Sequence, residues 1–228
     1  MKSQRIAGFT HVELIAVIVV VAILALVIHP QIRNSVELAV STSMKGKGRG
    51  IWTSVLSATA ERELVGLGSV WPKDLGFDAS HTSTEYFHML MSDNPSTITN
   101  MPSGPIAEDL RPAALGGGGV PYADSLADFS STNNAWHVVC GGVQTPGSRM
   151  IYEAAFLISR NVTIGRQVNA LSPMKFDKQS PLRIRRCVYL TFGGACIDQK
   201  EQYMYTAAGV PVIFADKGTN TTYDVMYP

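Results

Sequence analysis

The chain has 228 residues, of which 46% are hydrophobic and 16% are charged, and its formal net charge is +1. This length is enough for one globular domain with a hydrophobic core besides a membrane anchor. The balanced charge creates no global field that would attract nucleic acid, so composition gives no reason to expect a polyanion partner.

A membrane-length apolar segment follows a short cationic leader at the N-terminus. Lys2 and Arg5 precede an unbroken apolar run from Leu14 to Ile28. The 20 residues from Phe9 to Ile28 would span about 30 Å as a helix, which matches the hydrocarbon core of a bilayer. The two cations predict a cytoplasmic N-terminus and an extracytoplasmic remainder. A cleaved secretory signal is the alternative, but no clear small-x-small site follows the apolar run.

One carboxylate lies at the start of this apolar segment. Glu13 closes the sequence Gly-Phe-Thr-His-Val-Glu that begins at Gly8. An ionisable group inside a transmembrane segment costs roughly 2.5 to 3.5 kcal/mol on insertion scales, so it persists mainly where it has a partner or a task. Cleavage after Gly8 would give Phe9 a positive α-amino group, which could neutralise the Glu13 of a neighbouring subunit in a parallel bundle.

These residues resemble the leader and first helix of type IV pilins and type II secretion pseudopilins, whose signature is a glycine, a phenylalanine and a glutamate four residues further on. The resemblance covers Met1 to about Pro30, although His11 stands where the family usually has an aliphatic residue. It implies cleavage after Gly8 and N-methylation of Phe9 by a prepilin peptidase. It also implies that an inner-membrane assembly platform, driven by an ATPase, joins the chain to like or related subunits.

The helical pattern continues beyond the apolar run. Pro30 removes one backbone hydrogen bond and can kink or loosen the helix locally, which suggests a role when the segment moves from bilayer to filament. Apolar and small residues then recur at three- and four-residue steps from Val36 to about Leu64, as on one side of a helix. Gly66 and Gly68 are expected to end the helix, because glycine accepts left-handed backbone.

Three glycines interrupt the outer half of this predicted helix, namely Gly46, Gly48 and Gly50. One interpretation is a frayed or broken helix. The other is a strip of small residues where the sheet of the head or a neighbouring helix approaches closely. The sequence leaves both open.

The region from 67 to 134 is predicted to contain one short helix and one long loop. Residues 83–90 form the pattern of a capped helix with aromatic side chains available for packing. From Ser92 to Asn134 the chain is rich in Pro, Gly, Ser, Thr and Asn and has no sustained periodicity. This composition indicates a long surface loop.

Four strand-like runs separated by turns follow, which predicts an antiparallel meander covered on its apolar face by the outer half of the long helix. The runs are Ala135–Cys140, Ile151–Arg160, Leu182–Thr191 and Ala195 to about Tyr205. Val210–Phe214 is a candidate edge strand, and the tail from there to Pro228 has no clear pattern.

Three cysteines, Cys140, Cys187 and Cys196, are an odd number in a disulfide-permissive compartment. Gly193-Gly194 has the form of a two-residue hairpin turn that would set Thr191 opposite Cys196. Cys187 would then lie four residues, roughly 13 Å, along the strand from the partner of Cys196, too far for a bridge. Free or buried thiols are expected.

The sequence contains no motif that indicates an enzyme active site. It has no glycine-flanked serine elbow, no phosphate-cradling loop and no Cys-x-x-Cys pair, and its five histidines show no metal-ligand spacing. No catalytic residue, cofactor or metal is therefore expected. Asp216, Asn220 and Asp224 offer oxygen donors, but their spacing fits a solvated turn better than a calcium loop.

The densest basic patch consists of Arg183, Arg185 and Arg186. Strand alternation puts Arg183 and Arg185 on one sheet face, with Ile184 and Val188 on the other. A solvated face is the favoured interpretation, ahead of an inter-subunit contact and of a DNA-binding surface.

These patterns together predict an α+β, pilin-like fold, in which a long N-terminal helix with a transmembrane half and an amphipathic half packs on a small antiparallel meander. The predicted parts are a cleaved leader at 1–8, a transmembrane and filament-core helix at 9–29, the outer half of that helix at 30–66, the short helix and loop at 67–134, and the sheet of the head at 135–228.

The expected function is that of a structural subunit of a pseudopilus or pilus, made in the bacterial inner membrane. Gly8 and Phe9 would form the processing site, and Glu13 and Pro30 would serve assembly. The rival hypothesis is a single-pass anchored binding protein that captures a ligand with the 92–134 loop. An enzyme comes third.

Overall fold

The computed structural model describes residues 10–92, 106–142, 154–168, 174–177, 185–204 and 223–228. It divides into two compact units, Met1–Ala39 and Val40–Pro228. The helices are α1 (His11–Leu64), α2 (Ser83–Met91) and α3 (Pro112–Leu115). The strands are β1 (Trp136–Gly142), β2 (Ala155–Ser159), β3 (Val162–Thr163), β4 (Gln167–Val168), β5 (Lys175–Phe176), β6 (Arg186–Thr191), β7 (Cys196–Lys200) and β8 (Tyr223–Met226).

The first unit is the N-terminal part of helix α1. The helix continues through Pro30 without a break. Its most apolar 18-residue window has a mean hydropathy of 3.0, and none of that window is buried. Among the described residues, this one helix is therefore long and apolar enough to cross a membrane.

Helix α1 ends where the sequence predicts. Its last residue is Leu64, and Gly66 and Gly68 follow with φ angles of 75° and 77°, in the left-handed region. The predicted short helix is also present as α2, which Thr82 and Glu85 cap reciprocally through two hydrogen bonds of 2.8 and 3.1 Å. These ends are set by local backbone chemistry, which is why sequence reasoning finds them.

The second unit contains a six-stranded antiparallel sheet in the order β4-β8-β1-β2-β6-β7 and a separate two-stranded antiparallel sheet of β3 and β5. The four predicted strand runs form β1, β2, β6 and β7, which are neighbours in that order. The α+β layout with an antiparallel sheet is thus confirmed, but the sheet is not a simple meander, because β3, β4 and β5 intervene in the chain between the neighbours β2 and β6.

The C-terminal tail, which has no clear sequence pattern, supplies a strand inside the sheet. Strand β8 pairs with β1 on one side and with β4 on the other. The candidate edge strand Val210–Phe214 lies outside the described residues.

In the described part of the predicted surface loop from Ser92 to Asn134, residues 106–134, exposed coil alternates with apolar side chains that pack in the core. Ile106, Leu110, Leu115 and Phe129 are at least 93% buried and belong to the hydrophobic core. Backbone hydrogen bonds to Leu90 and Leu115 anchor this segment to α2 and to the start of β1. Irregular coil can be buried when its polar groups are bonded in this way, and such burial leaves no period in the sequence.

The outer half of α1 lies against the sheet at a glycine. An ideal Cβ on Gly48 would approach Cη2 of Trp136 to 3.2 Å, whereas Gly46 and Gly50 have no other atom within 4 Å of such a Cβ. Met44 and Ile51, one turn on either side of Gly48, are fully buried. The sequence left open whether the three glycines break the helix or allow a close approach of the sheet. The helix is not broken at any of them, and the sheet approaches closely at Gly48 alone.

A polar cluster joins the same part of α1 to the far edge of the sheet. Asp198 on β7 accepts two hydrogen bonds of 2.8 Å from the guanidinium of Arg186 on β6 and one of 2.5 Å from the hydroxyl of Ser41 on α1. The ammonium of Lys45 lies 3.9 Å from the same carboxylate. The Asp198 side chain is only 6% exposed, so these partners replace the water that it has lost.

Burial raises the pKa of Asp198, but the hydrogen bonds from Arg186 and Ser41 and the attraction of Arg186 and Lys45 outweigh it, so the pKa lies below its usual value of 3.8. The folded state thus favours the ionised carboxylate. Its stabilising effect is fully present above the unfolded pKa and is lost as the pH falls through the folded one.

We predict that Gly48→Leu lowers the free energy of unfolding by about 1 to 3 kcal/mol, because the side chain would overpack the contact with Trp136. The matched variant Gly46→Leu should be neutral or raise it by up to about 1 kcal/mol, because leucine is the better helix former and meets no other atom. Urea unfolding of the full chain in a nonionic detergent, followed by tryptophan fluorescence, measures both. Equal effects at the two positions would contradict the packing described.

A second prediction concerns pH. Asp198→Asn should cost about 1 to 3 kcal/mol at neutral pH, because the half-buried Arg186 would lose its counter-charge. The gap between wild type and variant should stay constant down to about pH 4.5 and shrink below the ordinary aspartate pKa, as the wild-type carboxylate is protonated. Urea unfolding across a pH series tests this, and a gap that widens in acid would contradict it.

Candidate functional site

Two of the four predicted site residues have described positions. Glu13 lies in the first turn of α1 and Pro30 lies inside that helix. Gly8 and Phe9, the predicted processing site, lie outside the described residues.

Glu13 closes a capping box at the start of α1. Its Oε2 accepts hydrogen bonds from the backbone N–H of Thr10 at 2.8 Å and from the Thr10 hydroxyl at 2.9 Å. The Glu13 N–H donates in return to the Thr10 hydroxyl at 3.3 Å. Thr10 is a residue of this site that the sequence reasoning missed, although the Thr-x-x-Glu spacing is the signature of such a cap.

The cap uses only one oxygen of the carboxylate. Among the described residues no hydrogen bond reaches Oε1 of Glu13, and the side chain is exposed. One acceptor therefore remains available to a cation from outside the subunit while the other organises the helix start.

The apolar residues behind Glu13 are exposed on every face of the helix. From Leu14 to Ile28 the large hydrophobic side chains are 48% to 77% exposed. An exposed apolar surface of this length requires lipid or protein to cover it. The helix satisfies its own backbone hydrogen bonds, so either environment can accept it.

Pro30 marks the end of the apolar run. Proline has no N–H, so the helix lacks the hydrogen bond that this residue would donate to the carbonyl of Leu26. The helix nevertheless continues for 34 residues beyond it, to Leu64. The helix therefore lacks the backbone hydrogen bond that the sequence predicts to be missing at Pro30. The role of Pro30 in assembly stays a prediction.

The predicted basic patch is divided by the structure. Arg185 is 76% exposed and lies 4.0 Å from the carboxylate of Glu201. Arg186, in contrast, is only 17% exposed because it is paired with Asp198. Arg183 lies outside the described residues. Arg186 is thus a structural group, which leaves Arg185 as the described member of the patch that can meet a partner.

Other polar candidates have local roles in the described part of the chain. Asp224 accepts a hydrogen bond of 3.2 Å from Gln167, whereas Asp216 and Asn220 lie outside the described residues. His88 contacts the carbonyl oxygen of Phe129 at 2.8 Å. No group of three or more His, Cys, Asp or Glu side chains in that part is arranged to hold a metal ion.

All three cysteines are free, as expected, but the hairpin that holds Cys196 has a different register. Cys196 pairs with Leu190 rather than with Thr191. The turn contains three residues, and Gly194 at its end has a φ of 83° and lies so close to Trp52 that a Cβ would come within 2.8 Å of the indole. Packing against this indole favours the longer turn, a tertiary contact that the Gly-Gly pair alone does not reveal.

The environment of the thiols suppresses their reactivity. Burial raises the pKa of Cys140 and of Cys187 to about 12. Cys196 is half-buried, and burial also raises its pKa. Because the thiolate is the reactive form, none of the three has the lowered pKa of an activated, catalytic nucleophile.

We predict that a maleimide labels one cysteine, Cys196, in the folded full chain at pH 7.5, and all three in denaturant. The reason is access, since Cys140 and Cys187 are at least 97% buried. Mass spectrometry of the labelled chain, with Cys196→Ser as control, gives the count. Rapid labelling of the Cys196→Ser variant without denaturant would contradict the burial of the other two.

The chain matches no family model, no curated protein and no solved structure. Its functional assignment therefore depends on its own residues, above all on the carboxylate at the start of an exposed apolar helix.

Proposed function

We propose that the chain is a structural filament subunit of the prepilin kind, related to type IV pilins or type II secretion pseudopilins. It is cut after Gly8 by a prepilin peptidase, which also methylates Phe9. The observation that carries the proposal is Glu13, a capped carboxylate with one oxygen open, at the start of the run Leu14–Ile28, whose large apolar side chains are all exposed.

The apolar part of α1 suits two successive environments. Before assembly the bilayer covers it, with the N-terminus cytoplasmic and the sheet-bearing unit on the outer side of the inner membrane. After assembly the helices of neighbouring subunits take the place of the lipid. Both environments are apolar, so the exchange costs little hydrophobic free energy and leaves polar contacts to set the order of subunits.

Glu13 supplies such a contact. A carboxylate in the bilayer is costly, and the α-amino group of Phe9 in a neighbouring subunit would reduce the cost by a charge-assisted hydrogen bond. The open Oε1 can accept this bond while Oε2 retains the helix cap. The pairing is possible only in one axial register, so it selects correctly placed subunits.

The rival hypothesis of an anchored binding protein is less well supported. It relied on the 92–134 segment as a ligand-capturing surface loop. In the described part of that segment, residues 106–134, four large apolar side chains, those of Ile106, Leu110, Leu115 and Phe129, are packed in the core. A segment fixed in this way is a poor candidate for a loop that adapts to a ligand.

We expect Glu13→Val to insert in the membrane, to be cut after Gly8 and to fail to form homogeneous filaments. Glu13→Asp should be intermediate, because the charge stays but reaches one methylene less far. Gly8→Leu should leave the uncut precursor, because the side chain crowds the scissile bond. N-terminal mass spectrometry and electron microscopy of filaments, in cells that contain the peptidase and assembly platform, give the two readouts.

Two control variants distinguish a loss of axial register between subunits from a loss of helix stability. Thr10→Val weakens the cap by about 1 kcal/mol but keeps the carboxylate, so filaments should still form. Glu37→Val removes a carboxylate of the same helix outside the apolar run and should have no effect. Wild-type assembly by Glu13→Val would show that this carboxylate does not register subunits, and an intact Met1 on wild-type chain would refute the processing step.

A further inference from the structure

Strand β7 is an edge of the six-stranded sheet and has a neighbouring strand, β6, on one side only. The N–H of Glu201 donates to the carbonyl of Arg185 at 3.1 Å, and the N–H of Thr191 donates to the carbonyl of Ala195 at 2.9 Å. In an antiparallel pair, residues that bond across the ladder alternate with residues whose backbone groups point away from it. These two bonds therefore leave every second residue of β7 facing outward. The outward residues are Cys196, Asp198 and Lys200.

The outward backbone groups of β7 are unpaired in the part of the chain that the structure describes. No hydrogen bond there reaches the N–H or the carbonyl of Cys196 or Asp198, or the N–H of Lys200. We call these groups the open edge. The strand has no proline and its register with β6 has no bulge, so neither of these common barriers to further pairing is present. At about 3.3 Å per residue the open edge is about 13 Å long, which suits an extended segment of about five residues.

The carboxylates beside the open edge already have cationic partners. Asp198 lies 2.8 Å from the guanidinium of Arg186, and its side chain is only 6% exposed. Glu201, which directly follows β7, lies 4.0 Å from the guanidinium of Arg185. Each carboxylate is matched by one arginine, so these two pairs contribute no net charge to the edge.

Three further cations give the edge a positive charge. Lys200 and Arg49 are exposed, and no ion pair reaches either of them among the described residues. Lys45 lies 3.9 Å from Asp198, whose charge is already balanced. Burial raises the pKa of Cys196, and the charges of Arg49 and Lys45 act against it, so these two cations lie near the start of β7. Lys200 is the last residue of the strand, so both ends of the edge are cationic.

This charge distribution selects the strand that can pair with β7. The β7 of a second copy would bring the same cations, so repulsion between like charges opposes self-pairing. A strand with acidic side chains at alternate positions would instead place carboxylates beside the cations at both ends of the edge. A neutral strand would gain only the backbone hydrogen bonds.

We propose that the open edge binds an extended acidic segment of another protein, which joins the sheet as a further strand. The outward backbone groups of Cys196, Asp198 and Lys200 supply the hydrogen bonds. The cations at the two ends of the edge select the acidic side chains. The inference goes beyond the filament proposal, since it assigns a partner to the sheet-bearing unit and does not depend on cleavage after Gly8.

The probe is a synthetic peptide of about seven residues in which glutamate alternates with valine, and fluorescence anisotropy measures its binding to the full chain in a nonionic detergent. We expect a dissociation constant below about 1 mM at low salt. A peptide with lysine in place of glutamate should bind at least about tenfold more weakly, because its charges repel those of the edge. The glutamate peptide with N-methylated backbone amides should also bind at least about tenfold more weakly, because it keeps its charge but cannot donate hydrogen bonds.

Substitutions of Lys200 separate the backbone contribution from the charge. The φ of Lys200 is −72°, which suits proline, so Lys200→Pro removes one N–H of the open edge without straining the strand. Lys200→Ala removes the same charge and keeps the N–H. The glutamate peptide should bind Lys200→Pro at least about fivefold more weakly than Lys200→Ala, because one backbone hydrogen bond is lost and the ring obstructs pairing.

The variant Lys200→Glu tests the charge. It should weaken binding of the glutamate peptide at least about fivefold and strengthen binding of the lysine peptide, a gain that misfolding cannot produce. Arg166→Glu is the matched control with the same change in net charge, because Arg166 is exposed and directly precedes β4 at the opposite edge of the sheet. This control should bind both peptides as wild type does.

Hydrogen exchange resolved to single residues tests the edge itself. In the free chain the amides of the three outward residues should exchange faster than those of Ile197 and Gln199, and the glutamate peptide should slow them. The proposal is overturned if the outward amides are protected in the free chain, if the glutamate peptide does not bind, or if the lysine or N-methylated peptide binds equally well. It is also overturned if Lys200→Pro and Lys200→Ala behave alike, or if Arg166→Glu weakens binding as much as Lys200→Glu.

Discussion

The close contact between Gly48 of α1 and the indole of Trp136 is the constraint around which the second unit is arranged. Trp136 begins β1, and β1 lies between β8 and β2 in the middle of the sheet. A helix can lie this close to the sheet only where it has no side chain, so the glycine sets the distance at which Met44, Ile51 and Val55 become fully buried. The cost of a helical glycine is offset by the packing that it permits.

The Asp198 cluster complements this contact with directional bonds. Apolar packing by itself tolerates small rotations of a helix on a sheet, whereas a carboxylate that accepts from both Arg186 and Ser41 has a defined geometry. The cluster joins β6, β7 and α1 at the edge of the sheet, away from the tryptophan contact at its middle. A core position and an edge position together fix the helix in both translation and rotation.

Helix α1 also shows how one element can serve two environments. From Leu14 to Ile28 its side chains are apolar and exposed on all faces, whereas from Ser41 onward one face is buried and the exposed face is mostly polar or small, apart from Leu56 and Leu64. The capping box of Thr10 and Glu13 stabilises the start of the helix, where the structure shows no tertiary hydrogen bond from another described residue. In an apolar environment no water can accept hydrogen bonds from the first N–H groups of a helix, so side chains of the helix itself must accept them.

The sequence by itself determined the features that depend on neighbouring residues. The apolar run, the helix end before Gly66, the cap of α2 and the four main strands follow from local periodicity and backbone preference, and each lies where the pattern indicates. The position of Glu13 at the start of the apolar run is likewise a sequence property, and even its bond to Thr10 is encoded in a three-residue spacing.

Only the tertiary structure decided the features that depend on residues distant in the chain. Gly48 differs from Gly46 and Gly50 because Trp136, 88 positions away, lies against it and not against them. Apolar residues of the 106–134 segment enter the core and β8 enters the sheet because partners far along the chain satisfy their backbone groups. Pairing of Leu190 with Cys196 depends on a turn that packs against Trp52. Local sequence pattern cannot predict these features, because each depends on which of several alternative long-range contacts has the lowest free energy.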